Sequence, residues 1–163
     1  MEPEIAAFKP EKLAEVQTFL RVALRDDDYV MDFETRDADL KDIVGHYQDN
    51  GGQFWLLLAG TGQIVAGCIA LERVNKDTLE LRRFVVHQLM RDHGFGERLL
   101  LTALRFAEET DCNRVRVYAN KKQQAALRLL RRHRFHEIKR FNTNPQAEYF
   151  FEHRIQEKPV RPV

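Results

Sequence analysis

Apolar residues recur along this chain with two different spacings, and the changes between them predict the order of its elements. Spacings of three and four residues indicate an amphipathic helix, whereas alternation indicates a strand with one buried face. Residues 4–10 (EIAAFKP) predict a short first strand. Residues 11–24 predict a helix whose inner side carries Leu13, Val16, Phe19, Leu20 and Val22 or Ala23. Residues 38–50 predict a second helix, capped by Asp37 or Asp39 and ended by the glycine pair that follows.

The middle of the chain predicts three consecutive strands and a long helix. The apolar runs QFWLLLA and IVAGCIALERV are joined by GTGQ, so residues 53–74 predict a β-hairpin. Residues 77–87 (DTLELRRFVVH) alternate and are rich in β-branched and aromatic side chains, which favours a third strand. The stretch RDHGFG at 91–96 then opens a helix that runs to about Thr110.

The last third of the chain predicts three more strands around one more helix. RVRVYA at 114–119 reads as a strand, and residues 121–133 as a helix with Ala126, Leu129 and Leu130 inward. Residues 135–141 and 147–155 predict two final strands, and the proline-containing residues 156–163 predict a mobile tail. The order β-α-α-β-β-β-α-β-α-β-β implies an α/β fold. We expect one domain over 1–155, with a sheet that is antiparallel at its start and has helices on its faces.

Composition narrows the class of protein. The 163 residues are 44% hydrophobic, and no apolar run approaches the roughly 20 residues of a membrane span. The first residues carry acids and an early proline, so we expect no signal peptide. Cys68 and Cys112 lie in no metal or redox spacing and fit reduced thiols of a cytoplasmic protein.

The net charge of +1 conceals an asymmetry between the two halves of the sequence. Residues 1–80 hold sixteen acidic and eight basic residues, and residues 81–163 hold nine acidic and eighteen basic ones. If the halves stay apart in space, one favours cationic ligands and the other anionic ligands. The alternative is an ordinary fluctuation of surface charge.

Gly94 and Gly96 of RDHGFG lie at a predicted helix start, although glycine lowers helix stability. A requirement of the backbone should therefore explain both glycines. A helix N-terminus offers unpaired amides and a partial positive charge, which bind phosphate where no side chain blocks the approach. Arg91 adds a cation at the same place. The stretch therefore predicts a polyphosphate site. The simpler reading is a tight turn that needs glycine only for its dihedral angles.

The sequence ELRRFVVHQLMRDHGFGERLL resembles the signature of the GNAT superfamily of N-acetyltransferases, in which R/Q-x-x-G-x-G/A follows a strand and opens a helix. The resemblance extends over the element order from about residue 3 to 155. It implies a mixed, mostly antiparallel sheet and acetyl-CoA as co-substrate. The pyrophosphate would lie on the amides of the turn Arg91, Asp92, His93, Gly94, Phe95, Gly96 and Glu97.

The resemblance also assigns roles outside the turn. The pantetheine arm would pair with the strand residues Phe84, Val85 and Val86, and the Val86 amide would donate to the thioester carbonyl. Asn120 matches a position that contacts the arm in many relatives, although it could equally be a simple turn residue.

Acetyl transfer to an amine needs a base, because an alkylammonium has a pKa near ~10.4. Glu80 matches the glutamate that relatives use, and strand alternation predicts that Glu80, Arg82, Phe84 and Val86 share one face. The alternative is a solvated glutamate at a strand start.

Three positions depart from the family pattern. Relatives often carry a tyrosine that protonates the departing thiolate, but Leu130 stands at that place and Arg134 at the glycine that follows it. Tyr118 or Tyr149 could replace the tyrosine, although each suits a sheet or core position. Glu97 puts an anion near the phosphates.

Other motifs do not carry a function. The basic stretch RLLRRHRFHEIKR suits a polar helix face better than a nucleic-acid site, because the sequence pI is only about 7.8. His133 and His136 lack a further ligand at metal spacing, so we expect no metal site. The chain contains no serine, which excludes a serine nucleophile, and neither cysteine lies where a nucleophile is expected.

Two hypotheses follow. The first is an N-acetyltransferase that transfers acetyl directly to a primary amine of a small cationic molecule, drawn in by Asp26, Asp27, Asp28, Asp32 and Glu34. A protein or peptide acceptor stays open within this class, as does a monomeric or homodimeric state. The second is a non-catalytic acyl-CoA-binding module that regulates a partner, which the missing tyrosine motivates.

Overall fold

The computed structural model describes residues 2–25 and 29–155. Within them, seven strands form one sheet in the order β1-β2-β3-β4-β5-β7-β6. The strands are β1 (Glu4–Ala7), β2 (Gln53–Ala59), β3 (Ile64–Asn75), β4 (Thr78–Val86), β5 (Arg114–Ala119), β6 (His136–Glu137) and β7 (Tyr149–Arg154). The α-helices are α1 (Leu13–Arg25), α2 (Phe95–Glu109) and α3 (Gln124–Arg132). The predicted mixed, mostly antiparallel α/β fold is confirmed.

The centre of the sheet is where two strands run parallel. β4 pairs with β5 over three residues only, from Thr78 opposite Arg114 to Glu80 opposite Arg116. Beyond this point β5 stays paired with β7 as far as Ala119, but β4 has no partner on that side within the described residues. The two strands therefore diverge, and an open cleft lies between their C-terminal ends.

Each face of the sheet has its own apolar core. On the face covered by α1, here called the α1 face, the helix and the turns after it pack against alternate side chains of β2 and β3. On the opposite face, the α2 face, α2 and α3 pack against β3, β4 and β5. The α1 core includes Val16, Leu20, Tyr47, Phe54 and Cys68, and the α2 core includes Leu79, Leu81, Leu99, Leu130 and Phe151.

The predicted second helix over 38–50 is wrong. Ala38–Lys41 is a 3₁₀ turn, and Val44–Gln48 is one wide turn of π type. Neither predicted cap forms, because the carboxylates of Asp37 and Asp39 are buried and pair with the guanidinium of Arg83. Neutralising a buried cation thus overrides the helical pattern of this segment.

The C-terminal elements differ from the prediction in detail. The strand predicted over 135–141 is reduced to β6, because Arg140 turns back and donates to carbonyls of its own loop, among them that of Ala147. In α3 the fully buried positions are Leu127 and Leu130, whereas Leu129 is half-buried. The predicted tail, 156–163, lies outside the described residues. No helix in the described part of the chain is long and apolar enough to cross a membrane.

Candidate active site

A bulge interrupts β4 where it enters the cleft. Ala70 of β3 lies opposite Arg82, but Cys68, two residues away on β3, lies opposite Val85, three residues away on β4. The extra residue is accommodated at Arg83, whose φ of 55° is in the left-handed region. A residue other than glycine is roughly 1–2 kcal/mol less stable there, so the surrounding structure must hold it.

The bulge overturns the prediction that Glu80, Arg82, Phe84 and Val86 share one face. Phe84 and Val86 pack against the core of the α2 face, whose residues include Leu79. Glu80 and Arg82 project from the α1 face, because one added residue reverses the alternation beyond Arg82. The Glu80 carboxylate and the Phe84 and Val86 side chains therefore lie on opposite sides of the sheet, with the cleft between them.

The turn that opens α2 leaves its first amides unpaired. Gly94 begins the helix with a φ of 82° and no side-chain cap, and a Cβ added there would meet no atom within 4 Å. The amides of Phe95, Gly96 and Glu97 have no hydrogen-bond acceptor within the described residues. Such amides can bind an anion.

Gly96 has a different reason to be glycine. A Cβ there would lie 3.3 Å from Leu129 Cδ1, 3.8 Å from Phe84 Cζ and 3.9 Å from Val86 Cγ2. Its missing side chain lets α2 approach both β4 and α3. Only Gly94, of the two glycines, opens the turn toward solvent.

The polar side chains around the turn make local contacts. Arg91 is exposed, and its Nε donates to the Val86 carbonyl at 3.2 Å, which holds it beside the end of β4. Asp92 and His93 are exposed, and Asp92 has a φ of 65°. Phe95 is half-buried and packs against the α2 core.

Glu97 points away from the turn toward the end of α3. Its carboxylate lies 2.7 Å from His133 Nε2 and 3.6 Å from Arg132 Nη1. The hydrogen bond from His133 and the charge of Arg132 hold the pKa of Glu97 below its usual value. The His133 ring and the Arg132 guanidinium therefore engage the anion that the sequence places near the predicted phosphates.

Asn120 follows β5 at the far side of the cleft and shapes a turn. Its Oδ1 accepts from the Lys122 amide at 3.0 Å, and its own amide donates to Gln123 Oε1 at 2.9 Å. These bonds account for an asparagine there without a ligand.

Glu80 lies at the point where β4 and β5 separate. Its side chain is 11% exposed, and Oε2 accepts from Arg116 Nε at 3.1 Å. Burial raises the pKa of Glu80, and this effect exceeds the opposing charges of Arg116 and Arg82. A carboxyl group with a raised pKa is better matched to accepting a proton near neutral pH.

A second glutamate, which the sequence reading did not single out, faces Glu80 across the β3–β4 ladder. Glu72 is the direct partner of Glu80 on the ladder. Its carboxylate pairs with Arg82 at 2.8 Å and lies 3.0 Å from His46 Nε2. The tight β3–β4 hairpin indicates from the sequence that these two strands pair, but a register shift between Arg73 and Asn75 places Glu72, rather than Arg73, opposite Glu80. Arg116 had no such local signal, since its strand follows a long crossover.

The tyrosines occupy two faces. Tyr118 is half-buried on the α1 face, with its ring centroid 6.5 Å from that of Phe141. Tyr149 packs against the α2 core, and Leu130 is 1% exposed within it. Tyr118 therefore shares the face of Glu80.

A separate cavity of about 360 Å³ between α2 and β7 is lined by none of the predicted site residues. The described residues contain no group of three His, Cys, Asp or Glu side chains that could hold a metal ion.

Comparisons with known proteins agree with this geometry. The model of the acetyltransferase (GNAT) family matches residues 19–135, so the chain belongs to the GNAT acetyltransferase family. The resemblance read from the sequence is thereby confirmed. A search of curated proteins gave no match.

Solved structures share the fold at low identity. A GNAT-family acetyltransferase from Staphylococcus aureus Mu50 is 23% identical, with a TM-score of 0.84 over 94% of this chain and 99% of that one. An acetyltransferase from Streptococcus agalactiae 2603 is 20% identical, with a TM-score of 0.81 over 93% and 98%. YncA, a putative acetyltransferase from Salmonella typhimurium solved with its cofactor acetyl-CoA, is 15% identical, with a TM-score of 0.71 over 100% and 99%.

Proposed function

We propose that this chain transfers the acetyl group of acetyl-CoA directly to a primary amine of a small molecule, in the cleft between β4 and β5. The observation that carries the proposal is the end of the parallel ladder at Glu80 and Arg116. Among the described residues, it leaves the C-terminal half of β4 unpaired on one side, with unpaired α2 amides toward the α2 face and the buried Glu80 carboxylate toward the α1 face.

Acetyl-CoA is the co-substrate and enters from the α2 face. Its pyrophosphate lies on the turn 91–97, where the amides of Phe95, Gly96 and Glu97 are unpaired within the described residues and the exposed Arg91 side chain lies beside them. The pantetheine arm pairs with the free edge of Phe84, Val85 and Val86, and the Val86 amide polarises the thioester carbonyl. Asn120 borders the arm across the cleft.

The acceptor amine enters from the α1 face, where Glu80 is the base. The carboxylate removes the ammonium proton through a water molecule, since only 11% of its side chain is exposed. The neutral amine attacks the thioester carbon, and the C–S bond then breaks with no covalent acetyl-enzyme. The proton that the nitrogen loses in becoming an amide passes through solvent to the departing thiolate. A thiol pKa of ~8.5 makes unassisted departure tolerable, so the buried Leu130 is no obstacle. Tyr118, on the same face, is the alternative proton donor.

A small cationic acceptor is supported by acidic residues in the segment after α1, which packs on the α1 face. Glu34 is exposed and pairs only loosely with Lys41 at 3.4 Å, and Asp32 lies two residues before it. The other three predicted steering acids, Asp26, Asp27 and Asp28, lie outside the described residues. Protein and peptide acceptors remain the alternative. The two free, buried cysteines support the predicted cytoplasmic location.

The test is a thiol-release screen with acetyl-CoA against small amines and peptides, followed by the Glu80→Gln variant. We expect turnover with small amines, and a loss of about 10²- to 10⁴-fold in kcat for the variant. Calorimetry should show unchanged acetyl-CoA affinity. If peptides prove better acceptors than small amines, the proposed small-molecule substrate class is rejected, but acetyl transfer itself is not.

The non-catalytic module remains a second candidate because Leu130 replaces the tyrosine acid. This candidate predicts acetyl-CoA binding without turnover for any acceptor. Acetyl-CoA that fails to bind at all would reject both candidates.

A further inference from the structure

We infer that Arg83 and Cys68 are positioning residues for acetyl transfer: they lock the bulge of β4 from the α1 face, and the bulge sets how residues 84–86 face the cleft. The inference rests on the proposed placement of acetyl-CoA along these residues. Neither side chain contacts the proposed path of the co-substrate, because both belong to the opposite side of the sheet.

The bulge needs external support. Arg83 holds a left-handed φ of 55°, and the ladder with β3 loses its register between Cys68 and Ala70. A strand of ordinary residues is more stable without such a residue, since it would regain regular pairing. A regular β4 would turn Phe84 and Val86 to the other face and change which amide faces the cleft.

The Arg83 side chain supplies the first support. Its Nε and Nη2 donate to Asp39 and its Nη1 donates to Asp37, both of which are buried. Asp39 also accepts from Tyr47, and Asp37 from Tyr29. Every nitrogen of the guanidinium fork thus has a carboxylate acceptor, so the backbone of the bulge is tied to the segment after α1.

The Cys68 thiol supplies the second support. Its Sγ donates to the Arg83 carbonyl at 3.1 Å, which gives the irregular backbone a partner that the β3 ladder does not offer. Cys68 is fully buried, and burial raises the pKa of its thiol to about 12, so it stays protonated and able to donate.

A matched pair of cysteine variants separates positioning from packing. Cys112 is also buried, and its Sγ also donates to a carbonyl, that of Ala107 at 3.4 Å, but it lies after α2 and away from the cleft. Cys68→Ala and Cys112→Ala remove the same atom from similar surroundings. Their urea midpoints should therefore fall by similar amounts.

We expect kcat to fall about tenfold or more in Cys68→Ala and to stay within about twofold in Cys112→Ala, at a temperature where both are fully folded. Cys68→Ser restores a donor and should recover a large part of kcat, whereas a pure packing role predicts that a buried hydroxyl does no better than alanine. In Arg83→Lys the side chain at this position cannot reach both carboxylates in the same way. Its kcat should therefore fall further than its loss of stability, measured as the urea midpoint, can explain.

The outcomes separate this inference from the proposed function. An active wild type with equal kcat in Cys68→Ala and Cys112→Ala overturns the positioning role and leaves acetyl transfer intact. A wild type with no acetyl transfer to any amine overturns both.

Discussion

At the scale of single residues, the balance of charges around Glu80 decides whether it can act as a base. Glu80 and Glu72 face each other on the same side of the sheet, and Arg82 and Arg116 lie beside them. Burial favours the neutral carboxyl, and the arginines favour the carboxylate. The pKa of Glu80 therefore lies above the ordinary glutamate value, and removing one neighbouring charge should change it.

Removing that neighbour should move the pH dependence of the enzyme. In Arg116→Met the carboxylate loses its closest cation, so the pKa of Glu80 rises further and the acidic limb of kcat/KM moves to higher pH. The profile is measured between pH 5 and 9. Arg114→Met, which removes an arginine two residues away that pairs with Glu152, is the control and should leave the limb in place. If the acidic limb of kcat/KM lies at the same pH in the two variants, the pKa of Glu80 does not determine it.

Gly94 offers a second test at this scale. Gly94→Ala forces an L side chain to a φ of 82°, so we expect a loss of about 1 kcal/mol in the free energy of unfolding. Its methyl group also covers the open amides of α2, so the Kd for acetyl-CoA should rise about tenfold. Gly60→Ala is the control: its φ is 72° and its surroundings are equally open, but it lies in the β2–β3 turn. Similar acetyl-CoA affinities in the two variants would mean that the phosphates of acetyl-CoA do not bind at this turn.

At the scale of elements, the helices and strands that have a clear local sequence pattern were predicted correctly. The strands β2 to β5 and the helices α1 to α3 all appear near their predicted places, because each has a clear period and turn residues at its ends. The bulge was not predictable in this way. LELR alternates, but the paired Arg82 and Arg83 end the alternation without showing that the backbone bulges there. Only contacts with the distant Asp37, Asp39 and Cys68 make the bulge stable.

The same distant contacts explain the largest error in the prediction of elements. Residues 38–50 carry a helical pattern, but a regular helix would have to turn Asp37 and Asp39 toward its cap rather than toward Arg83. In the candidate site, Glu80 and the glycine turn were predicted from one stretch of sequence. The partners Arg116 and His46 come from other elements, so no local pattern pointed to them.

The buried ion network makes a prediction about acid stability. Burial raises the pKa of Asp39, but hydrogen bonds and the charge of Arg83 outweigh it and hold the pKa below its ordinary value. The folded state therefore binds this proton more weakly than the unfolded state does. The stabilisation is complete above the unfolded pKa of ~3.9 and is lost as pH falls through the lower folded pKa.

Urea unfolding of Asp39→Asn at several pH values tests this linkage. At pH 7 the variant should be less stable by about 3 kcal/mol, because Arg83 loses half of its buried compensation. The difference from the wild type should shrink as pH falls below ~3.9. Asp49→Asn, at an exposed position, should match the wild type throughout. A difference that is constant with pH would show that the Asp39 charge does not matter.

At the scale of the whole molecule, the two halves of the sequence become the two halves of the sheet. Strands β1 to β3 belong to the acidic half and β5 to β7 to the basic half, with β4 and the cleft at the boundary. The strand order keeps the two halves apart within the sheet, although α2, from the basic half, packs over β2 and β3 of the acidic half on the α2 face. An anionic co-substrate and a cationic acceptor would then approach from sides of opposite charge.

Ionic strength tests whether this arrangement guides the co-substrate. Raising NaCl from about 0.02 M to about 0.3 M shortens the Debye length to well under 10 Å, so kcat/KM for acetyl-CoA should fall severalfold. Acetyl-pantetheine is the control, because it carries the same thioester without phosphates, and its lower kcat/KM should hardly change. The exposed arginines of α3, Arg128, Arg131 and Arg132, lie on the basic half, and replacing them with glutamine should flatten the salt dependence for acetyl-CoA without affecting acetyl-pantetheine. Parallel salt curves for the two thioesters would leave the charge asymmetry without a role in binding the co-substrate.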